Sequence, residues 1–463
     1  MVAWSVVLAS IVREGYGEFR LARFDLGNMV QAVWSTTEGR VLEMTDGATG
    51  EQVLRLGLHV DPFLVLLAPL WIVWPSPLSL AFAQVVAVSL GALPVFWLGR
   101  RHLGSERTAG LLALSYLAYP WLAWSAVGAI HPVTFAIPLY LLCIWFLDTN
   151  RLLLFSVCAL LAMSTGELMG LPIAGLGIWY ALARPRRLEG ALVALAGAAW
   201  TAASIFLVVP AARGGSSVYY GFYDEVGGSP YGILRMLFTD PASVLGALVD
   251  AHDVIYVVWL ALPLCGLFVF SPGLAAIGLP QLLANALSDF RSMTDPRYHS
   301  VAAVVPFLMA ASVYGVSRLP ERRRPRAAVL VLLVSALFAL GLGPWSRAVG
   351  VVPLGSPDPL SASHVDALRA AVTLVPEGSP VASSNVAGAH LSARRYLFTL
   401  PVLGSAEWVV VDRADPFLAS PDSPILSQRP AVLRSLVRRL EQDPGWSKVF
   451  ERESVLVFRR AGA

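Results

Sequence analysis

The sequence predicts a polytopic α-helical membrane protein of about eleven transmembrane helices with one small C-terminal α/β domain on the water side. Three observations carry this. Of 463 residues, 56% are hydrophobic and only 14% charged, against roughly 25% charged in an average soluble domain, and the mean hydropathy is +0.64. The apolar residues are bunched into runs such as 78–98 and 191–209, long enough at ~1.5 Å per residue to cross a ~30 Å hydrocarbon layer. After position 343 the composition changes to short apolar strands alternating with amphipathic helices.

In chain order, the first apolar run, 2–12, is too short to cross alone, which places the true start upstream of Met1 or makes this helix partial. A polar-amphipathic stretch, 13–61, reads as a large first outward loop. A short apolar helix at 62–74 follows, then spans near 77–99, 108–127, 132–147, 152–164, 168–183, 191–209, 254–270, 273–288, 301–316 and 327–343. Arginine orients them. The groups Arg100, Arg101, Arg107; Arg184, Arg186, Arg187; and Arg318, Arg322, Arg323, Arg324, Arg326 fall on alternate loops. A cytoplasmic N-terminus puts all three on the cytoplasmic side. The expected division is a multi-span domain, 1–343, and an extracytoplasmic α/β domain, 344–463, in a multi-pass protein of the plasma membrane.

In the tail, Ser363 and Asp366 form a capping box before a helix with Val365, Leu368 and Val372 on one face. Strands are expected at 381–384, 396–399 and 408–411, a second helix at 428–442, and a closing hairpin from 446–450 and 455–458.

Charge and cysteine exclude several functions. A net charge of +3 provides no concentrated basic face for nucleic acid. Lys448 is the single lysine, so no lysine serves a P-loop or a Schiff base within the membrane region. Cys143, Cys158 and Cys265 lie in apolar runs and read as small hydrophobes. Nucleotide-binding glycine motifs, the GxSxG elbow, HExxH and DxD are absent.

What remains is a spatial pattern. Asp25 and Gln31, His59 and Asp61, His131, Glu167, and the run Asp295, Arg297, Tyr298, His299 all fall at outward helix ends. Singly, each has an ordinary reading: an interfacial imidazole, a carboxylate capping a helix, an aromatic belt residue. Arg394 and Arg395 read as solvated, and His390 as structural. Jointly, ionisable groups from several segments on one face of an apolar bundle point to a site.

The run Phe24-Asp25-Leu26-Gly27-Asn28-Met29-Val30-Gln31-Ala32-Val33-Trp34 resembles the opening signature of the bacterial membrane-protein family known as domain of unknown function 2079. Matching pieces are Gly57-Leu58-His59-Val60-Asp61-Pro62, His131-Pro132, Arg297-Tyr298-His299 and the tail run Val381-Ala382-Ser383-Ser384-Asn385 through His390 to Arg394-Arg395. Two departures are a clipped leading helix and a middle-region Lys-Glu-Asp reduced to Glu167. That family in turn resembles the lipid-linked membrane glycosyltransferases of the GT-C superfamily, which place an acidic residue just after the first span, where Asp25 stands here. The resemblance implies a GT-C-like bundle and transfer of a sugar from a polyprenyl-phosphate donor to an unknown envelope acceptor. Asp25 is the expected catalytic base. Gln31, His59, Asp61, His131, Glu167, Arg297, Tyr298 and His299 are the expected substrate-binding residues, with Arg297 and His299 gripping the leaving phosphate. His59 and His131 are candidates for orienting the acceptor or holding a divalent ion, with no third ligand to define a metal site. The apolar helix 62–74 would shape a groove for the prenyl chain, and the tail domain would help select the acceptor.

Two other classes compete. A transporter or flippase of a lipid-linked or anionic solute expects charges near mid-membrane, broken helices and an internal repeat. The span centres instead hold chiefly Gln84 and Asn285 as polar insertions. An envelope assembly protein would use the tail as a binding module.

Overall fold

The computed structural model describes residues 1–183, 186–345, 360–416 and 430–462. Arg184 and the first residues of the helix expected at 428–442 lie outside them.

Long apolar runs become helices because lipid offers no partner for backbone N–H and C=O groups, which must pair within the segment. Among the described residues, three helices have the length and composition to cross a membrane: Pro77–Leu103, Arg187–Arg213 and Glu321–Leu342. Two bent pairs raise the number to five, Glu106–Leu117 with Pro120–Val127 (50°) and Pro241–Leu248 with Ala251–Leu264 (47°). The expected eleven spans are therefore not confirmed. Pro62–Val73, Pro132–Asp148, Leu152–Met163 and Glu167–Ala183 are apolar but only 10–17 residues long, reaching about 15–25 Å against a ~30 Å layer. Hydropathy counts apolar residues and is blind to where a helix breaks. Proline opens the second half of the first bent pair, at Pro120, the second pair breaks between Leu248 and Ala251, and the expected span 273–288 is divided into Pro272–Ala275, Ala276–Gly278 and Leu279–Ala286.

The bundle faces lipid with leucine and phenylalanine. Leu153, Leu182, Leu188 and Leu195 project from helix surfaces largely uncovered, which in water would be an aggregating surface. Inside, Gly170, Gly177, Gly190 and Gly197 bring helices Gly170–Ala183 and Arg187–Ala203 into backbone contact, the close approach that small residues permit in membranes.

The tail folds as a three-layer sandwich. Strands β1 (Glu43–Thr45) and β2 (Gln52–Leu54) form a hairpin in the first loop. The tail sheet comprises β3 (Val381–Ser383), β4 (Leu397–Thr399), β5 (Trp408–Asp412), β6 (Trp446–Arg452) and β7 (Val455–Arg460), in the order β4-β3-β5-β7-β6. β3 runs parallel to both β4 and β5, and β7 is antiparallel to β5 and β6. Alternation decides the layers. Val381, Leu397, Val410 and Val457 face helix Ala362–Thr373, while Ala382, Phe398, Val409 and Phe458 face helix Pro430–Gln442. These strands match the expected segments. The helix cap does not: Ser361, not Ser363, accepts the His364 N–H (3.2 Å), and Asp366 pairs with Arg369. Asp412 anchors one end of the sheet, 2.8 Å from His364 Nε2 and accepting from Ser454 Oγ at 3.0 Å.

Membrane bundle and tail are interlocked. Phe19 belongs to the tail's core and Ala389 to that of the bundle. His390 stacks between Tyr16 and Phe19 at 4.0 and 4.1 Å, its Nε2 3.0 Å from the Tyr16 carbonyl, so its expected structural role stands. Arg394 is a correction. It is buried, donating to the carbonyls of Leu391 and Ser379 at 2.6 Å each, because the 392–396 turn folds back over those carbonyls and a guanidinium is the group that satisfies several at once. Arg395 remains half exposed, 3.6 Å from Glu43. Replacing Arg394 with alanine should cost about 2–4 kcal/mol, since buried acceptors lose their donors, whereas Arg395→Ala should cost under about 1 kcal/mol. Thermal unfolding of the two variants in detergent separates them, and equal melting temperatures would refute the buried role.

Candidate functional site

Two amides, both unusual in apolar helices, shape one end of the bundle. Gln84 donates to the carbonyls of Ser125, Ala126 and Ala129 and accepts the His131 N–H at 2.8 Å, holding the turn that presents His131. Asn285 donates to Tyr256 Oη and to the Ser300 carbonyl and accepts from Gln281, fixing the segment that carries His299. The third piece is the turn Ser164-Thr165-Gly166-Glu167, tied to the start of the 62–67 helix by Phe63 N–H donating to the Ser164 carbonyl (2.9 Å).

Between these pieces lies a cavity of about 130 Å³ lined by His59, Asp61, His131, Glu167 and His299, together with Arg55 and Gln281. A wider hollow on helix Pro430–Gln442, at Arg438 and Arg439, is open to solvent and far from these groups. Glu167 bridges two segments: one oxygen is 3.1 Å from His59 Nδ1 and the other accepts the Val60 N–H at 3.1 Å. Burial raises its pKa, but the His59 charge and these hydrogen bonds outweigh that and hold it below the ordinary glutamate value. His59 also stacks on Tyr219, 4.4 Å between centroids.

His131 and His299 stack face to face, 3.7 Å apart at 20°. Burial lowers the His131 pKa to about 3, with Arg55 and His59 adding to the effect, and takes His299 well below its ordinary value. Both are neutral at physiological pH, as so close a stack requires. A cationic His299 gripping phosphate is therefore corrected: the imidazole is a neutral hydrogen-bonding group whose Nδ1 is buried without a partner among the described residues.

Asp25 lies outside the cavity lining and approaches it through His131. It lies within a short π-helical turn, Arg23–Gly27, that continues into helix Asn28–Thr37; such turns recur at functional positions. Its Oδ1 is 4.0 Å from His131 Nε2, too long for a hydrogen bond and, with His131 neutral, no ion pair. Its side chain keeps 49% of its surface open, and desolvation of the remainder pushes the pKa up to about 6. The group is both reachable and basic.

The remaining expected residues are engaged by other groups or lie outside the cavity lining. Gln31 is fully buried, its amide donating to Thr45 Oγ1 and to the carbonyls of Arg394 and Arg395 while its oxygen accepts the Thr45 N–H; with every polar atom engaged, it ties the first loop to the tail rather than binding substrate. Asp61 lines the cavity, but its carboxylate is taken by Arg55 (2.6 Å, both 3% exposed or less), so it neither caps the following helix nor offers free charge. Arg297 lies outside the cavity lining and folds onto Asp295, its Nε and N–H each donating at 2.9 Å, which neutralises it as a phosphate clamp. Tyr298 packs beside the cavity, 4.0 Å from His299 and 6.1 Å from His131. Arg55 and Gln281 were not legible as site residues; an arginine in the polar 13–61 stretch has no periodic pattern to mark it as buried. Among the described residues no three histidine, cysteine or carboxylate side chains are placed to share a metal ion.

The family model described as "Predicted membrane protein (DUF2079)" matches residues 16–457. The chain belongs to this family. It is accordingly a membrane protein, as its lipid-facing helices require. No curated protein matches it. Among solved structures it is similar to the oligosaccharyltransferase of Archaeoglobus fulgidus, in a crystal structure with an acceptor peptide tethered through a disulfide, at 14% identity and a TM-score of 0.48 over 89% of this chain and 69% of that one. Likeness at that level says nothing about chemistry.

Removing Arg55 from this family member strands a buried carboxylate. Arg55→Ala should destabilise the protein by about 3–5 kcal/mol, and Arg55→Met combined with Asp61→Leu by clearly less, because a buried pair replaced by apolar groups leaves no uncompensated charge. Melting temperatures in detergent decide it; a double variant as unstable as the single one would show that charge is not the reason.

Proposed function

We propose that the chain is a membrane glycosyltransferase that moves a sugar from a polyprenyl-phosphate donor to an acceptor hydroxyl on the extracytoplasmic face. The observation that carries this reading is Asp25: a reachable carboxyl whose pKa desolvation raises to about 6, 4.0 Å from the cavity-lining His131. Asp25 takes the acceptor's hydroxyl proton, the acceptor oxygen bonds to the sugar's anomeric carbon, and the bond from that carbon to the phosphate oxygen breaks, releasing polyprenyl phosphate. A carboxylate whose pKa lies near the working pH is suited to this step. His131, His299 and the His59–Glu167 pair orient hydroxyl groups by neutral and charge-assisted hydrogen bonds. The apolar stretch Pro62–Val73, with Ile72 and Val73 uncovered, supports a path for the prenyl chain.

The orientation belongs to the same proposal: a multi-span part, 1–343, and a tail, 344–463, on the extracytoplasmic side, with the site on that side as well. Arg101 and His102 gather on Asp148, at the far end of the helix that starts beside His131, which agrees with arginine-rich turns in the cytoplasm. The broken segment from 262 to 287 is a feature a transporter also expects, but its amides Gln281 and Asn285 bond to each other and to the Ser300 carbonyl.

Asp25→Asn should abolish transfer from radiolabelled lipid donor in membranes while the protein stays inserted and folded; undiminished transfer would remove Asp25 as the base. In the wild type the basic form is needed, so transfer is half-maximal near pH 6, approaches its full value about one pH unit higher, and falls about tenfold per pH unit well below it. A profile flat down to pH 4.5 would show that no carboxyl of raised pKa is used.

A further inference from the structure

The two most distinctive motifs of the sequence, some 360 positions apart, meet. The turn Arg23–Gly27, which presents Asp25, rests on the tail segment Asn385–Gly388. The Phe24 N–H donates to Asn385 Oδ1 at 3.1 Å. It is an early N–H of the turn, where intrahelical acceptors run out, so the tail domain supplies an acceptor from outside. On the adjacent face the backbones touch. A Cβ added to Gly27 would stand 3.3 Å from Ala389 Cα, and one added to Gly388 would stand 2.5 Å from Arg23 Cβ. One helical turn further on, Gln31 fastens the same element to the carbonyls of Arg394 and Arg395; one segment earlier, His390 is clamped between Tyr16 and Phe19. Asp25 is thus the middle of a stretch held to the tail at both ends, with its carboxyl aimed the other way, toward His131.

We infer that the tail domain is part of the catalytic apparatus, with Asn385 and Gly388 as positioning residues that fix the turn carrying Asp25 against the bundle. This rests on the reading of Asp25 as the base, but the docking itself is testable without turnover. A general base must sit within about half an ångström of its productive place, and the five-residue turn Arg23–Gly27 takes one of its acceptors, Asn385 Oδ1, from the tail. The tail domain supplies what the membrane part lacks.

The test uses the full chain in detergent. Asn385→Ala should lower kcat roughly ten- to a hundredfold with KM for the lipid-linked donor unchanged. Its low-pH limb should move from about 6 toward the ordinary carboxylate range as Asp25 loosens into water. Hydrogen–deuterium exchange at the peptide containing Phe24 should accelerate. Asn385→Asp, which keeps the accepting oxygen, should restore exchange protection and most of the turnover. Ser454→Ala, which removes the Asp412 contact of the same domain without touching the turn, should leave kcat at the wild-type value. Wild-type turnover or unchanged exchange in Asn385→Ala overturns the inference, as does an equal fall in Ser454→Ala, which would mean that any weakening of the tail suffices. Should Asp25→Asn prove active, the base assignment fails on that result alone, and the exchange measurement still decides whether the tail holds the turn.

Discussion

An apolar bundle gives its polar groups no water to fall back on, which strongly favours pairing them within the protein. Most of the architecture around the cavity follows from this constraint. Gln84 and Asn285 sit in otherwise greasy helices and discharge their hydrogen-bonding capacity onto the carbonyls and N–H groups of the turns bearing His131 and His299. Arg55 and Asp61 cancel each other in the dry wall. Gln31 stitches three stretches of backbone together. The turns are therefore rigid because their supports are buried amides, which have nowhere else to bond.

The same constraint sets the electrostatics. Guanidinium groups near the cavity are matched by carboxylates, Arg55 by Asp61 and Arg297 by Asp295, and the stacked imidazoles are held neutral by burial. Asp25 differs from these groups. Asp25 is crowded enough for its pKa to rise and open enough to be reached. Through His131, Asp25 thus adjoins a cavity in which Arg55 is matched by Asp61, Glu167 is held by His59, and the stacked pair of His131 and His299 is neutral.

The tail domain illustrates how a site can depend on distant sequence. Its sheet is an ordinary alternating α/β sandwich, yet its segment 385–395 is given over to contacts with the first loop. Two glycines allow those backbones to touch, and a side chain at either would push the turn bearing Asp25 away.

The sequence by itself determined what depends on composition and period. Apolar runs without charge must become lipid-facing or core helices, and the alternation of Val381-Ala382 and Val409-Val410 must become strands buried on two faces. It also marked Asp25, His59, His131, Glu167 and His299 as belonging to one end, because ionisable groups in so apolar a chain can collect only where water or a partner is near. The tertiary structure decided the pairings. That Asp61 is consumed by Arg55, Arg297 by Asp295, Gln31 by the Arg394 and Arg395 carbonyls, and that Arg394 is buried rather than solvated, depends on which segments come within 3 Å of each other. It also decided the breaks that divide the expected spans, since helix continuity depends on local backbone geometry and packing, to which a hydropathy average is indifferent. Residue chemistry limits which partners are possible; only the fold chooses among them.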